Sequence, residues 1–150
     1  MILDKEVAFS NPQTVTTDTN TGLISTSKVD LATAGRDIGA GENLYIVSTV
    51  TTALDMDASQ ALDVTLVTDE TSAISSVTVV QTLGSFAANA AAGSRIIARI
   101  QPSASFKRWI AIQYKTSTGN ALSAGAVKTA IAKDVDAYTN YPRGYVLKTS

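Results

Sequence analysis

The residues of this chain that could do chemistry are carboxylates, hydroxyls, tyrosines, lysines and arginines, because its 150 residues contain neither histidine nor cysteine. Histidine is the usual proton carrier near neutral pH, and the cysteine thiolate is both a strong nucleophile and a common structural zinc ligand. Without them most hydrolytic, redox and zinc chemistry is closed, and catalysis would need a visible constellation of the remaining groups. No nucleophile–base spacing is visible. The acidic group Asp55, Asp57 and Asp63 invites calcium, yet an EF-hand loop needs ligands at alternate positions, then glycine, then a bidentate glutamate, and residues 56–61 do not supply that order. The plainer reading is a solvated hairpin end. Paired carboxylates for glycoside hydrolysis are set by spatial separation, so sequence leaves them open. Sugar clefts, however, usually carry several aromatic platforms, and the chain has one tryptophan. The expectation is no catalytic residue, no metal and no cofactor.

Other groups suit binding. Residues 34–42, Ala-Gly-Arg-Asp-Ile-Gly-Ala-Gly-Glu, hold three glycines in seven positions. The order is not GxGxxG, no helix follows, and no Gly-Lys-Ser/Thr occurs, so a turn needing positive φ at Gly39 or Gly41 is favoured over a phosphate loop. Arg36 and Asp37 then pair locally or meet a surface. Trp109 shares a strand face with Lys107, Ala111, Gln113 and Lys115, a polar setting that suits a partner anchor. A loop folded over it is the competing reading. Arg95 and Arg99 share the less apolar face of their strand, where solvent is the default and an acidic partner the alternative.

The elements that must position these residues are strands. Period-two alternation dominates, and no 12-residue stretch has convincing helical periodicity. Leu44, Ile46 and Val50 share one face against Tyr45, Val47, Thr49 and Thr51. Leu62, Val64 and Leu66 alternate with Asp63, Thr65 and Val67; Ile96, Ala98 and Ile100 with Arg95, Ile97 and Arg99. Phe106, Ile110, Ile112 and Tyr114 oppose the Trp109 face, and Val127, Ile131 and Val135 oppose Lys128, Ala130 and Ala132. Shorter candidates are residues 2–9, 24–31 and 77–82. Turn signals separate them: Asn20-Thr-Gly22, Gly39-Ala-Gly41, Asp55-Met-Asp57, Ala92-Gly-Ser94, Pro102-Ser103, Thr118-Gly-Asn120 and Ala124-Gly125. Residues 70–76 and 86–93 read as loops. About eight strands at this spacing predict an all-β, two-sheet antiparallel β-sandwich of jelly-roll type.

Hydrophobic residues make up 45% of the chain and charged ones 17%, which suits one folded domain rather than a disordered or membrane-spanning chain. We place the sandwich at residues 1–136 and an extended arm at 137–150 carrying Tyr138, Tyr141 and Tyr145. A formal net charge of -1 gives no long-range attraction to a phosphate backbone, so nucleic acid is not an expected partner. Charges in the first nine residues argue against a secretion signal, and the small-residue run at 86–92 is too short to span a bilayer, so no membrane is expected.

The glycine run at 34–41 followed by Glu42-Asn-Leu-Tyr-Ile-Val47, with Met1-Ile-Leu-Asp4 and Val29-Asp-Leu31 before it, resembles the capsid cement (decoration) proteins of short-tailed bacteriophages. The resemblance extends to the strand ending near Asp134, is strongest at the glycine motif, and does not include the tail after Asp136. It implies a jelly roll on the outer face of the virion, made in the host cytoplasm, that clamps neighbouring major capsid subunits and carries no catalytic residues. The expected partners are the major capsid protein and the chain itself, a dimer being preferred to a trimer. Trp109, Arg95, Arg99, Arg36 and the three tail tyrosines are the candidate partner-binding residues. A carbohydrate-binding or adhesion β-sandwich is the alternative.

Overall fold

The computed structural model describes residues 8–32, 43–101 and 105–133. Nine strands and no helix occur among them: β1 (Ala8–Thr14), β2 (Leu23–Ile24), β3 (Val29–Asp30), β4 (Tyr45–Asp55), β5 (Ala61–Asp69), β6 (Thr78–Ala87), β7 (Arg95–Arg99), β8 (Trp109–Thr116) and β9 (Ala124–Ala132). All pairings are antiparallel. They build a four-stranded sheet in the order β1-β9-β4-β7 and a five-stranded sheet in the order β2-β8-β5-β6, with β3 also on β8. The chain changes sheet at every connection except β2–β3 and the β5–β6 hairpin. The all-β sandwich expected from the alternation is therefore the fold.

The core is what the pleat predicts. Leu62, Val64 and Leu66 from β5 and Ile110, Ile112 and Tyr114 from β8 are fully buried and meet Ile46, Val50 and Val127 from the other sheet. Full burial of one such aliphatic side chain is worth about 1.5–3 kcal/mol, so these alternating rows supply much of the drive to close the sandwich.

Five details differ from the sequence expectation. The strand expected over residues 2–9 runs on past Phe9 as β1 to Thr14, and its residues 2–7 lie outside the described residues. The stretch from Ile24 to Leu31 is not one strand but two short pairings, β2 and β3, laid along the same neighbour. Phe86 lies in β6, buried in the core, so the loop expected from residue 86 starts only after Ala87: burial of the ring outweighs the poor strand propensity of the alanines. Ala124-Gly125 is not a turn but the start of β9, where Gly125 has φ 146° and an added Cβ would lie 2.7 Å from Leu54 Cδ2. Glycine is needed there because the two strands approach too closely for a side chain. Finally, Val47 and Ala130 are buried although they point away from the main core, on central strands with Ile97 beside Val47.

Two glutamine amides stitch the sheets together, one on each lateral side. Gln13 of β1 donates from Nε2 to the Ile24 carbonyl at 3.0 Å and accepts the Thr26 N–H at 2.9 Å. Gln81 of β6 donates to the Arg99 carbonyl at 2.8 Å and accepts the Gln101 N–H at 3.1 Å. Each amide thus satisfies one donor and one acceptor of an edge backbone in the opposite sheet, as a strand would.

A hydroxyl relay crosses the interior between them. Ser10 donates to Gln13 Oε1 at 2.9 Å, Tyr114 Oη lies 2.9 Å from Ser10 Oγ and 2.7 Å from Thr129 Oγ1, and Thr129 lies 2.8 Å from Ser48 Oγ. The Gln13 amide is oriented by its bonds to Ile24 and Thr26, and this sets every proton in turn. Ser10 has one proton and gives it to Gln13, so Tyr114 donates to Ser10, Thr129 to Tyr114, and Ser48 to Thr129. Burial pushes the Tyr114 phenol up to about 12, against the opposing effect of its two hydrogen bonds.

Candidate functional site

Trp109 opens β8, and strand parity turns it outward while Ile110 turns into the core. The outward face here is not bare. At the end of β5 the Asp69 carboxylate accepts the N–H of Glu70 at 2.6 Å, the N–H of Ser76 at 2.9 Å and the Thr71 hydroxyl at 3.4 Å. These bonds curl the β5–β6 connection back over the sheet, and Ile74 lands on Val67 and Ala111 as a second small core against which Trp109 and Ile24 pack. Ile74 adopts φ 49°, a left-handed conformation that costs a β-branched residue about 1–3 kcal/mol, so its buried contacts must hold it there. The Ser76 N–H first, then Glu70, Thr71 and the charge of Lys107, keep the Asp69 carboxyl below its ordinary range against the effect of burial.

The Arg108 guanidinium lies over the ring, 5.6 Å from the Trp109 centroid. Arg108 also grips Asp30 with both ends of its fork, Nε to Oδ1 at 3.0 Å and Nη2 to Oδ2 at 2.9 Å. That bond to Arg108 is the main reason the Asp30 carboxyl sits below its ordinary range, with the Ala32 N–H assisting. The planar fork matches a carboxylate and leaves the cation stacked near the indole. Trp109 is accordingly half-buried, partly covered by a folded-back loop and partly available beside a held arginine. The Arg108–Asp30 pair had no sequence signal, because its members are 78 residues apart.

Arg95 and Arg99 lie on β7, the edge strand of the other sheet, with Ile97 between them on the same outward face. Pairing places Arg99 beside Tyr45, Ile97 beside Val47, and Arg95 beside Thr49, which on its far side meets Lys128. Arg99 and Ile97 are exposed and Arg95 half-buried. Among the described residues the one ion pair is Arg108–Asp30, so neither arginine has a carboxylate partner there. Trp109 and the two arginines face away from each other on opposite sides of the sandwich. Arg36, the Gly39-Ala-Gly41 turn, Val135 and the tyrosines Tyr138, Tyr141 and Tyr145 lie outside the described residues.

The acidic residues are divided among separate hydrogen-bond partners. Asp55 accepts from Ser123 at 2.6 Å, Asp57 from Asn120 at 3.4 Å and Asp63 from Ser85 at 2.5 Å. Among the described residues no group of three or more acidic, His or Cys side chains could hold a metal ion.

Two comparisons bear on the chain. The family model named Bbp16 matches residues 9–131, from β1 to near the end of β9. No curated protein matches it.

Proposed function

The chain belongs to the Bbp16 family, and we propose that it is a structural virion protein. It binds the outer surface of a bacteriophage capsid, where it cements neighbouring major capsid subunits against internal DNA pressure, acting as a homo-oligomer, by preference a dimer, and without catalysis. The observation that carries this reading is the pair of glutamine stitches, Gln13 and Gln81, that close the sandwich on both lateral sides. With the sheets tied at their edges and the Tyr114 relay between them, the body resists shear. That is what a clamp needs to transmit load from one subunit to the next. A stiff protein spanning two subunits turns separate weak contacts into a joint one of high effective concentration, and so raises the work of opening the shell.

The Trp109–Arg108 patch and the Arg95, Ile97 and Arg99 row are the proposed contact groups. The half-covered indole suits an anchor of limited area better than a sugar platform, which needs an open ring face.

The test adds purified protein to shells lacking it and measures occupancy and the temperature at which DNA escapes. Saturable binding that raises this temperature is expected. Absence of binding at any concentration would reject the cement reading, and reproducible turnover of a glycoside, ester or peptide substrate, abolished by one carboxylate substitution, would reject the non-enzymatic one.

A further inference from the structure

All three exposed large hydrophobic residues among the described residues, Val77 at 39%, Val79 at 54% and Ile97 at 42% exposure, belong to one lateral side of the sandwich, where β6 and β7 lie against each other. The opposite side is defended against association: β1 carries Pro12 and two register shifts, and β2 and β3 are two residues each. Proline, bulges and very short edge strands are the usual means of blunting a sheet edge. By contrast β6 is a ten-residue edge strand, Thr78–Ala87, with no proline and no charged residue.

On β7 the charge is one-signed. Arg95 and Arg99 bracket Ile97 on β7 without a carboxylate partner among the described residues, and at about 3.3 Å per residue they stand roughly 13 Å apart. Lys107 Nζ reaches Thr78 Oγ1 at 3.1 Å at the far end of β6, its charge partly answered by Asp69. The one carboxylate bonded to β6 is Asp63, through Ser85. Val79 projects from the outer face of one sheet and Ile97 from the outer face of the other, so they flank the edge rather than share a plane.

We infer that the β6/β7 side is a docking surface of the clamp and that its partner there is an acidic groove on the shell subunit. The groove has apolar walls for Val77, Val79 and Ile97 and carboxylates placed against Arg95 and Arg99. The assignment rests on the cement reading and adds to it the side used and the chemistry of the partner. Apolar contacts at the centre with cations at the rim match the ordinary anatomy of an interface. The rim charges make binding salt-dependent.

The experiment measures occupancy of shells lacking the protein by wild type, by Arg95→Glu/Arg99→Glu and by Val79→Asp/Ile97→Asp, across a salt series. All four side chains lie on edge strands, and thermal melting checks that each variant is folded. The expected result is wild-type binding that weakens with salt, and a loss of about thirtyfold or more in each double variant. Wild-type occupancy by both folded variants would overturn the surface assignment while leaving the cement reading intact; no binding by wild type would overturn both. Sedimentation supplies the remaining arm: if the variants dissociate the free protein's oligomer, the side is a self-contact and the assignment falls.

Discussion

Tyr114 of β8 and Thr129 of β9 share a 2.7 Å hydrogen bond that joins the two sheets through the middle of the sandwich. A core made wholly of aliphatic rows would leave the sheets free to slide by one pleat. A phenol held between hydroxyls admits one register, because any slip strands a buried polar group. The bond is also the centre of a relay whose direction is imposed from its end, by the Gln13 amide.

Alkaline pH should weaken the fold through Tyr114. Its phenol is raised to about 12 when folded, against 10.0 when free, so the native state keeps a proton that the unfolded state loses. The contribution is constant below about pH 10 and is lost as pH rises towards 12, by about 2–3 kcal/mol at most. Urea midpoints across that range should fall in wild type, and Tyr114→Phe should remove this component of the fall. At neutral pH the same substitution should cost about 1–3 kcal/mol, since it leaves Thr129 with an unaccepted proton.

The two stitches should differ in worth. Gln13 bridges partly buried groups and also accepts from Ser10, whereas the bonds of Gln81 are exposed and water can replace them. Gln13→Ala is expected to cost about 1–3 kcal/mol and Gln81→Ala about 0.5–1.5 kcal/mol. Chemical denaturation gives the ranking, and hydrogen exchange at the Thr26 and Gln101 amides should speed up selectively in the respective variants. Equal costs would mean that the amides act only through their size.

Acid should free the β5–β6 connection. The Asp69 carboxyl lies below the ordinary 3.8 of a free aspartate, so its stabilisation is complete above that value and is lost as pH falls through the lower, folded one. Because Trp109 is the single tryptophan and packs beside Ile74, its emission reports on the loop. We expect a red shift at low pH and the same shift at neutral pH in Asp69→Ala. An unchanged spectrum in that variant would show that Ile74 holds the loop unaided.

Gly125→Ala should lower the melting temperature, because a side chain at φ 146° is strained and its Cβ would displace buried Leu54. A loss of about 1 kcal/mol or more is expected. Gly119→Ala is the control, having nothing within 4 Å of an added Cβ, and should be close to neutral.

The class of fold and the faces of its strands are legible in the order of the residues. Leu62, Val64 and Leu66, and Ile110, Ile112 and Tyr114, declare a buried face through a period of two, since neighbouring side chains on a pleat must point to opposite sides. Outward placement of Trp109, Arg95 and Arg99 follows from the same parity. Which outward faces stay open, and what ties the sheets together, have no such local signature. Ile74 comes back over Trp109 because Asp69 gathers backbone donors that lie up to seven residues further along the chain. The relay joins Ser10 to Tyr114 across 104 residues and Ser48 to Thr129 across 81. Alternation is a local property of the backbone and is written in order along the chain. The pairing of one serine or glutamine with a distant backbone group depends on strand order and register, which are settled only when the sheets close.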